Sequence, residues 1–60
     1  MALSDNIKKA REKQGFSQEY IADKLNVSRQ AVSKWETGQS EPSTQNLLRL
    51  AEVLKVDANI

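Results

Sequence analysis

The sixty-residue chain contains no cysteine and no histidine. Without cysteine there is neither a disulfide framework nor a thiolate metal site, and without histidine the commonest remaining metal ligand and general base is missing. Zinc-finger and Ser-His-Asp chemistry are thereby excluded. Glycine occurs twice and proline once, so there is no glycine-rich phosphate loop, and neither a metal nor any other cofactor is expected. Aromatic residues make up only 5% of the chain, too few for the stacking groove of a single-strand binder. No apolar run approaches the roughly 18 residues needed to span a bilayer, and Met1 to Asp5 lacks signal-peptide character, so the expected setting is the cytoplasm without a membrane partner. Neither sign of charge dominates. Nine basic residues against eight acidic ones leave +1, unlike the strongly basic balance of a protein that coats DNA regardless of sequence. A chain of this length is one small domain that buries about 60% of its unfolded surface.

What is present is concentrated between Gln18 and Thr37, in the stretch QEYIADKLNVSRQAVSKWET. Ser17 precedes the first run and can accept from the unpaired amides of a helix start. Ile21, Ala22 and Leu25 place an apolar stripe on one face of a helix ending near Leu25. Asn26 follows, the residue besides glycine that most readily takes the left-handed conformation at a helix stop. Val27 is apolar, and Ser28 supplies a second cap oxygen. A further helix is expected over Arg29 to Glu36, ending at Thr37-Gly38. Two short amphipathic helices joined by a tight turn make a helix-turn-helix.

On the second of these helices Val32 and Trp35 share one face, which places Trp35 in the core rather than on a nucleic acid. Arg29, Gln30, Ser33, Lys34 and Thr37 share the other. That face offers cations, an amide and hydroxyls, with no acid. Such side chains can read base edges: Arg or Lys pairs with guanine, Gln with adenine, and a hydroxyl with either.

The segment resembles the helix-turn-helix of the lambda-repressor-like family, the Cro/cI or XRE type. The resemblance rests on Gln18 at the first position, small Ala22, apolar Ile21, Leu25, Val27, Val32 and Trp35, the W-E-x-G of Trp35 to Gly38, Pro42, and the Leu-x-x-Leu-Ala run of a later helix. It covers roughly residues 3 to 57. One departure is Asn26, where the family usually has glycine. The resemblance implies an all-α, four-to-five-helix lambda-repressor-like domain over residues 1–60, with the helix-turn-helix at about 18–37. It further implies a partly buried pair between Arg11 and Glu36. It sets Gln18 against DNA backbone, and it suggests phosphate contacts from Gln39, Ser40, Ser43, Thr44 or Asn46, each of which also reads as an ordinary loop or cap residue. Thr37, at the end of the reading face, joins that phosphate group. Ser28, Arg29, Gln30, Ser33 and Lys34 are then the candidates for base edges.

Before this stretch, Leu3, Ile7, Ala10 and Gln14 keep the spacing of one helix face, with Ser4 or Asp5 near the start and Gly15 as the stop. Lys8, Lys9, Glu12 and Lys13 lie on the other faces, as a solvated surface or, for Lys8 or Lys9, a phosphate contact. Phe16 is expected between the first two helices, and Tyr20 either on the surface or against nucleic acid. Beyond it, Gln39 to Ser43 form a polar loop with Pro42 fixing the chain. Ser43 caps a fourth helix whose expected inner face is Leu47, Leu50, Ala51 and Leu54, flanked by Leu48. Val56 to Ile60 read as the start of a fifth helix, cut short.

The function expected from all of this is sequence-specific binding of double-stranded DNA by a transcriptional regulator, most simply a repressor, with the third helix in the major groove. A homodimer on an inverted repeat, half-sites about one helical turn (roughly 10 base pairs) apart, is the expected partner geometry. A further domain or protein partner is left open. The rival from another class is an antitoxin-type or partner-docking module that uses the same motif on a protein. An enzyme is not expected.

Overall fold

Four short helices make up residues 3–55, the part of the chain that the computed structural model describes: α1 (Leu3–Gln14), α2 (Gln18–Leu25), α3 (Arg29–Thr37) and α4 (Thr44–Leu54). The described residues contain no strand, and no helix among them is long and apolar enough to cross a membrane. The expected fifth helix, at 56–60, lies outside the described residues.

Helices of 8 to 12 residues are marginal in water alone, so their ends and their packing must hold them. Ser17, Ser28 and Ser43 each accept, through Oγ, the amide three residues on, at 3.0, 3.1 and 3.2 Å. At the other end all four helices close on a residue with positive φ: Gly15 at 77°, Asn26 at 58°, Gly38 at 81° and Lys55 at 58°. A Cβ at Gly38 would meet nothing nearer than Ser4 Oγ at 3.7 Å, so the backbone angle rather than crowding calls for glycine there. Lys55 adopts the same region with no such advantage.

The core draws on every helix. Ile7 enters from α1, Ile21, Ala22 and Leu25 from α2, Val32 and Trp35 from α3, and Leu50 and Leu54 from α4. Each fully buried aliphatic side chain contributes about 1.5–3 kcal/mol relative to exposure. Ala10, Phe16, Val27, Ala31 and Val53 pack around this nucleus as half-buried neighbours.

Ser4 and Asp5 lie in the first turn of α1, near its start as expected. Two expectations need correction. First, Leu47 and Leu48 are exposed at 37% and 53%, and the inner face of α4 narrows to Leu50 and Leu54 with Ala51 at its margin. Leu47 points the same way around the helix but sits two turns earlier than Leu54, beyond the rim of the core. Second, exposed Gln14 does not join the apolar face of α1. Its Nε2 donates to the Leu54 carbonyl at 3.0 Å, tying the last turn of α1 to that of α4.

Candidate nucleic-acid interface

The turn between α2 and α3 is set by one residue. Asn26, at φ 58° and ψ 44°, directs its N–H back to the carbonyls of Ala22 and Asp23, and the Val27 N–H reaches Ala22 at 2.9 Å. These bonds satisfy the carbonyls left over at the end of α2. Val27 then drops against the core, and Ser28 opens α3.

Helix α3 divides sharply by burial. Val32, Trp35 and Glu36 are buried, whereas Ser28, Arg29, Gln30, Lys34 and Thr37 are exposed and Ser33 is half-buried. The only acid of α3 is the one turned inward, so its outer face carries Arg29 and Lys34 without a compensating carboxylate. Asp23 in α2 and Glu41 in the α3–α4 loop are the exposed acids nearest in sequence on either side.

Glu36 is 8% exposed, and a buried carboxylate persists only where its lone pairs are met. Arg11 meets it with a two-pronged grip: Nε donates to Oε2 at 2.6 Å and Nη2 to Oε1 at 3.1 Å. The remaining prong, Nη1, donates to the Phe16 carbonyl at 2.8 Å. Arg11 thus fastens α1 and the α1–α2 turn to α3 at once. The hydrogen bond to Glu36 holds the guanidinium above its ordinary pKa, with partial burial opposing and the charge of Glu36 assisting. A folded value raised in this way gives a contribution that is complete below the usual arginine range and fades only as pH climbs through the folded value. A third donor reaches the same carboxylate. Gln18 Nε2 donates to Glu36 Oε1 at 3.0 Å, and Arg29 Nη1 in turn donates to Gln18 Oε1 at 3.4 Å.

The structure therefore brings Arg11, Gln18, Arg29 and Glu36 into one chain of contacts and leaves the other candidates apart from it. Gln39, Ser40, Ser43 and Thr44 are exposed and Asn46 is half-buried, in the loop after α3 and the first turn of α4. Ser28 and Ser43 use their oxygens as caps but each keeps a hydroxyl proton to donate outward. Thr37 differs, because its Oγ1 donates back to the Lys34 carbonyl at 3.3 Å. Among the described residues no three His, Cys, Asp or Glu side chains converge as a metal site. A cleft of about 210 Å³ between Leu3, Trp35 and Pro42 is smaller than the roughly 300 Å³ at which small-molecule sites begin.

The family profile described as "Helix-turn-helix" matches residues 7–60. The chain belongs to that family. It is a helix-turn-helix domain of the lambda-repressor-like type, a family of DNA-binding transcriptional regulators. YonR, an SPbeta prophage-derived uncharacterized HTH-type transcriptional regulator of Bacillus subtilis (strain 168), is 36% identical over 57 residues, 95% of this chain and 53% of YonR. The chain spans about half the length of the curated relatives it matches, 53%, 46% and 47% of the first three. The P22 c2 repressor, solved in complex with a synthetic operator, superposes with a TM-score of 0.89 at 30% identity, over 95% of this chain and 86% of that one. SinR, a master regulator for biofilm formation solved in complex with DNA, gives 0.86 at 29% identity, over 97% and 94%.

Within this lambda-repressor-like frame, two features escaped the sequence reading. The tie from Gln18 to both Glu36 and Arg29 is one. Its only sequence signal was that all three side chains are long and polar and sit at the ends of adjoining helices. The other is an aromatic ridge that runs from the α1–α2 turn onto α2. Phe16 and Tyr20 stack with centroids 4.5 Å apart, and Lys24 Nζ lies 5.3 Å from the centre of the Tyr20 ring. Their spacing of four residues was the available signal.

Proposed function

We propose that this domain binds double-stranded DNA sequence-specifically and serves a transcriptional repressor, with α3 in the major groove. The observation that carries this reading is the acid-free outer face of α3: its one carboxylate is buried under Arg11 while Arg29, Gln30 and Lys34 stay exposed. Arg29, Gln30, Lys34, Ser28 and Ser33 approach base edges. Gln18, Thr37, Gln39, Ser40, Ser43, Thr44 and Asn46 flank them toward the phosphates, where contacts position the helix without reading sequence. The operator-bound P22 c2 repressor and DNA-bound SinR support this assignment through their folds. Repression is the simplest outcome, because occupying a promoter requires only binding. Two copies on an inverted repeat suit a single domain whose net charge of +1 gives little non-specific grip.

Selection of bound sequences from a randomised duplex pool, at low and moderate salt, tests it. Enrichment of a short two-fold site supports the reading. Alanine at Arg29, Gln30 or Lys34 should then cost about 1–3 kcal/mol and relax one position each. Affinity without enrichment that collapses with salt reduces the activity to phosphate binding and moves attention to a protein partner.

A further inference from the structure

Glu41 is an acid in the loop that the DNA-binding reading sets against phosphates, and it is the only charged residue between Gly38 and Ser43. It also lines the cleft of about 210 Å³ between the start of α1 and the end of α3. The apolar walls of that cleft are exposed Leu3, half-buried Pro42 and the small open edge of Trp35. Ser4 and Ser40 add hydroxyls. Glu41 is the one charged side chain among the described residues that line the cleft, so apolar surface and an acid meet there without a base. The volume is too small for a drug-sized molecule, yet an apolar cavity of about 150 Å³ is enough to take up benzene. One ring or short alkyl group therefore fits against Leu3, Trp35 and Pro42, and a cation on a short tail meets the carboxylate.

We propose that this cleft is a binding site for a small primary amine, a free molecule with one aryl or short alkyl group and a terminal ammonium, and that its occupancy strengthens DNA binding. The apolar part supplies the grip, and Glu41 selects the charge. An acid of the same size would face Glu41 and be rejected. The effect on DNA rests on the DNA-binding reading above. A bound ammonium cancels the single negative charge of the α3–α4 loop, so phosphates approach that loop against less repulsion. Linkage makes the effect reciprocal: DNA tightens the amine as much as the amine tightens DNA.

The test begins without DNA. Trp35 is the only tryptophan and lines the cleft, so its emission and its indole N–H resonance report occupancy directly. The chain is titrated with 2-phenylethylammonium, 2-phenylethanol and 3-phenylpropanoate at matched ionic strength. The expected result is a saturable change at Trp35, Gly38 and Glu41, with a dissociation constant on the order of 1 mM for the ammonium, as suits so few atoms. The alcohol binds roughly threefold more weakly, since an exposed ion pair contributes little, and the acid binds more weakly still. Glu41→Gln removes the preference for the ammonium but keeps the alcohol, and Leu3→Ser weakens all three probes alike. Both residues are exposed, and melting temperatures verify that each variant stays folded. No saturable change at Trp35, equal affinity for all three probes, or an unaltered preference in Glu41→Gln overturns the site. The second arm uses the duplex enriched by the wild-type chain. There the ammonium should raise DNA affinity roughly twofold, the alcohol should not, and Glu41→Gln should bind tighter from the outset and ignore the amine. Affinity for that duplex unmoved by the ammonium overturns the regulatory role. Failure of the wild type to enrich any duplex strikes the DNA-binding reading instead, and is recognisable because the titration at Trp35 stands apart from it.

Discussion

Val32 and Trp35 seat α3 on the core much as Leu50 and Leu54 seat α4, yet only α3 is also gripped by a charged fork. Apolar burial has no direction and tolerates small slides and rotations of a helix on its bed. A planar guanidinium on a carboxylate tolerates neither, since both prongs must stay in line. A buried pair adds little net stability over apolar side chains of the same volume, so its contribution here is directional. The fork holds α3 against rotation, whereas α4 is seated by the core and by the single hydrogen bond from Gln14 to the Leu54 carbonyl.

This contrast can be broken in several ways. Arg11→Ala should have the largest effect, about 4 kcal/mol by denaturant titration, because it strands a buried carboxylate with Gln18 as its only remaining donor among the described residues. A loss below about 1 kcal/mol would mean that the fork is dispensable. Leu50→Ala removes volume from the seat of α4 and should cost about 3 kcal/mol. Unlike Arg11→Ala, it should leave relative base preferences untouched in duplex selection. Arg11→Lys keeps the charge but cannot reach the Phe16 carbonyl and both carboxylate oxygens together, and should cost about 2 kcal/mol. Equal stability of Arg11→Lys and wild type would show that charge alone suffices. The smallest effect belongs to Leu48→Ser, within about 0.5 kcal/mol, since that side chain is 53% exposed. A larger change in its unfolding midpoint would place Leu48 in a contact outside residues 3–55.

Local chemistry carried most of the fold. Serine ahead of each of three apolar runs marked the starts of α2, α3 and α4, and Gly15, Asn26 and Gly38 marked three of the stops. Val32 and Trp35, three residues apart, gave the buried side of α3. The misjudged parts depend on distance along an element or on partners far away in sequence. Spacing placed Leu47 on the right side of α4 but could not show how far the core extends along that helix. Likewise, composition marked Gln18 as polar and placed it at a helix start. It carried no information about a carboxylate 18 residues later or an arginine 11 residues later. For the candidate interface, the residue types of the outer face of α3 could be read in advance. Which of them already hold hydrogen bonds, such as Thr37 to the Lys34 carbonyl, could not.

The single tryptophan of the chain lies on the underside of α3, 6% exposed, facing away from Arg29 and Gln30. Its indole is therefore a built-in optical gauge of how that helix sits. Shielded from water, it should emit toward the blue and resist a soluble quencher. A ligand arriving on the outer face of α3 cannot touch it directly. Any change in its emission when such a ligand binds would record α3 shifting on its bed, and constant emission would record a helix that docks as a rigid part.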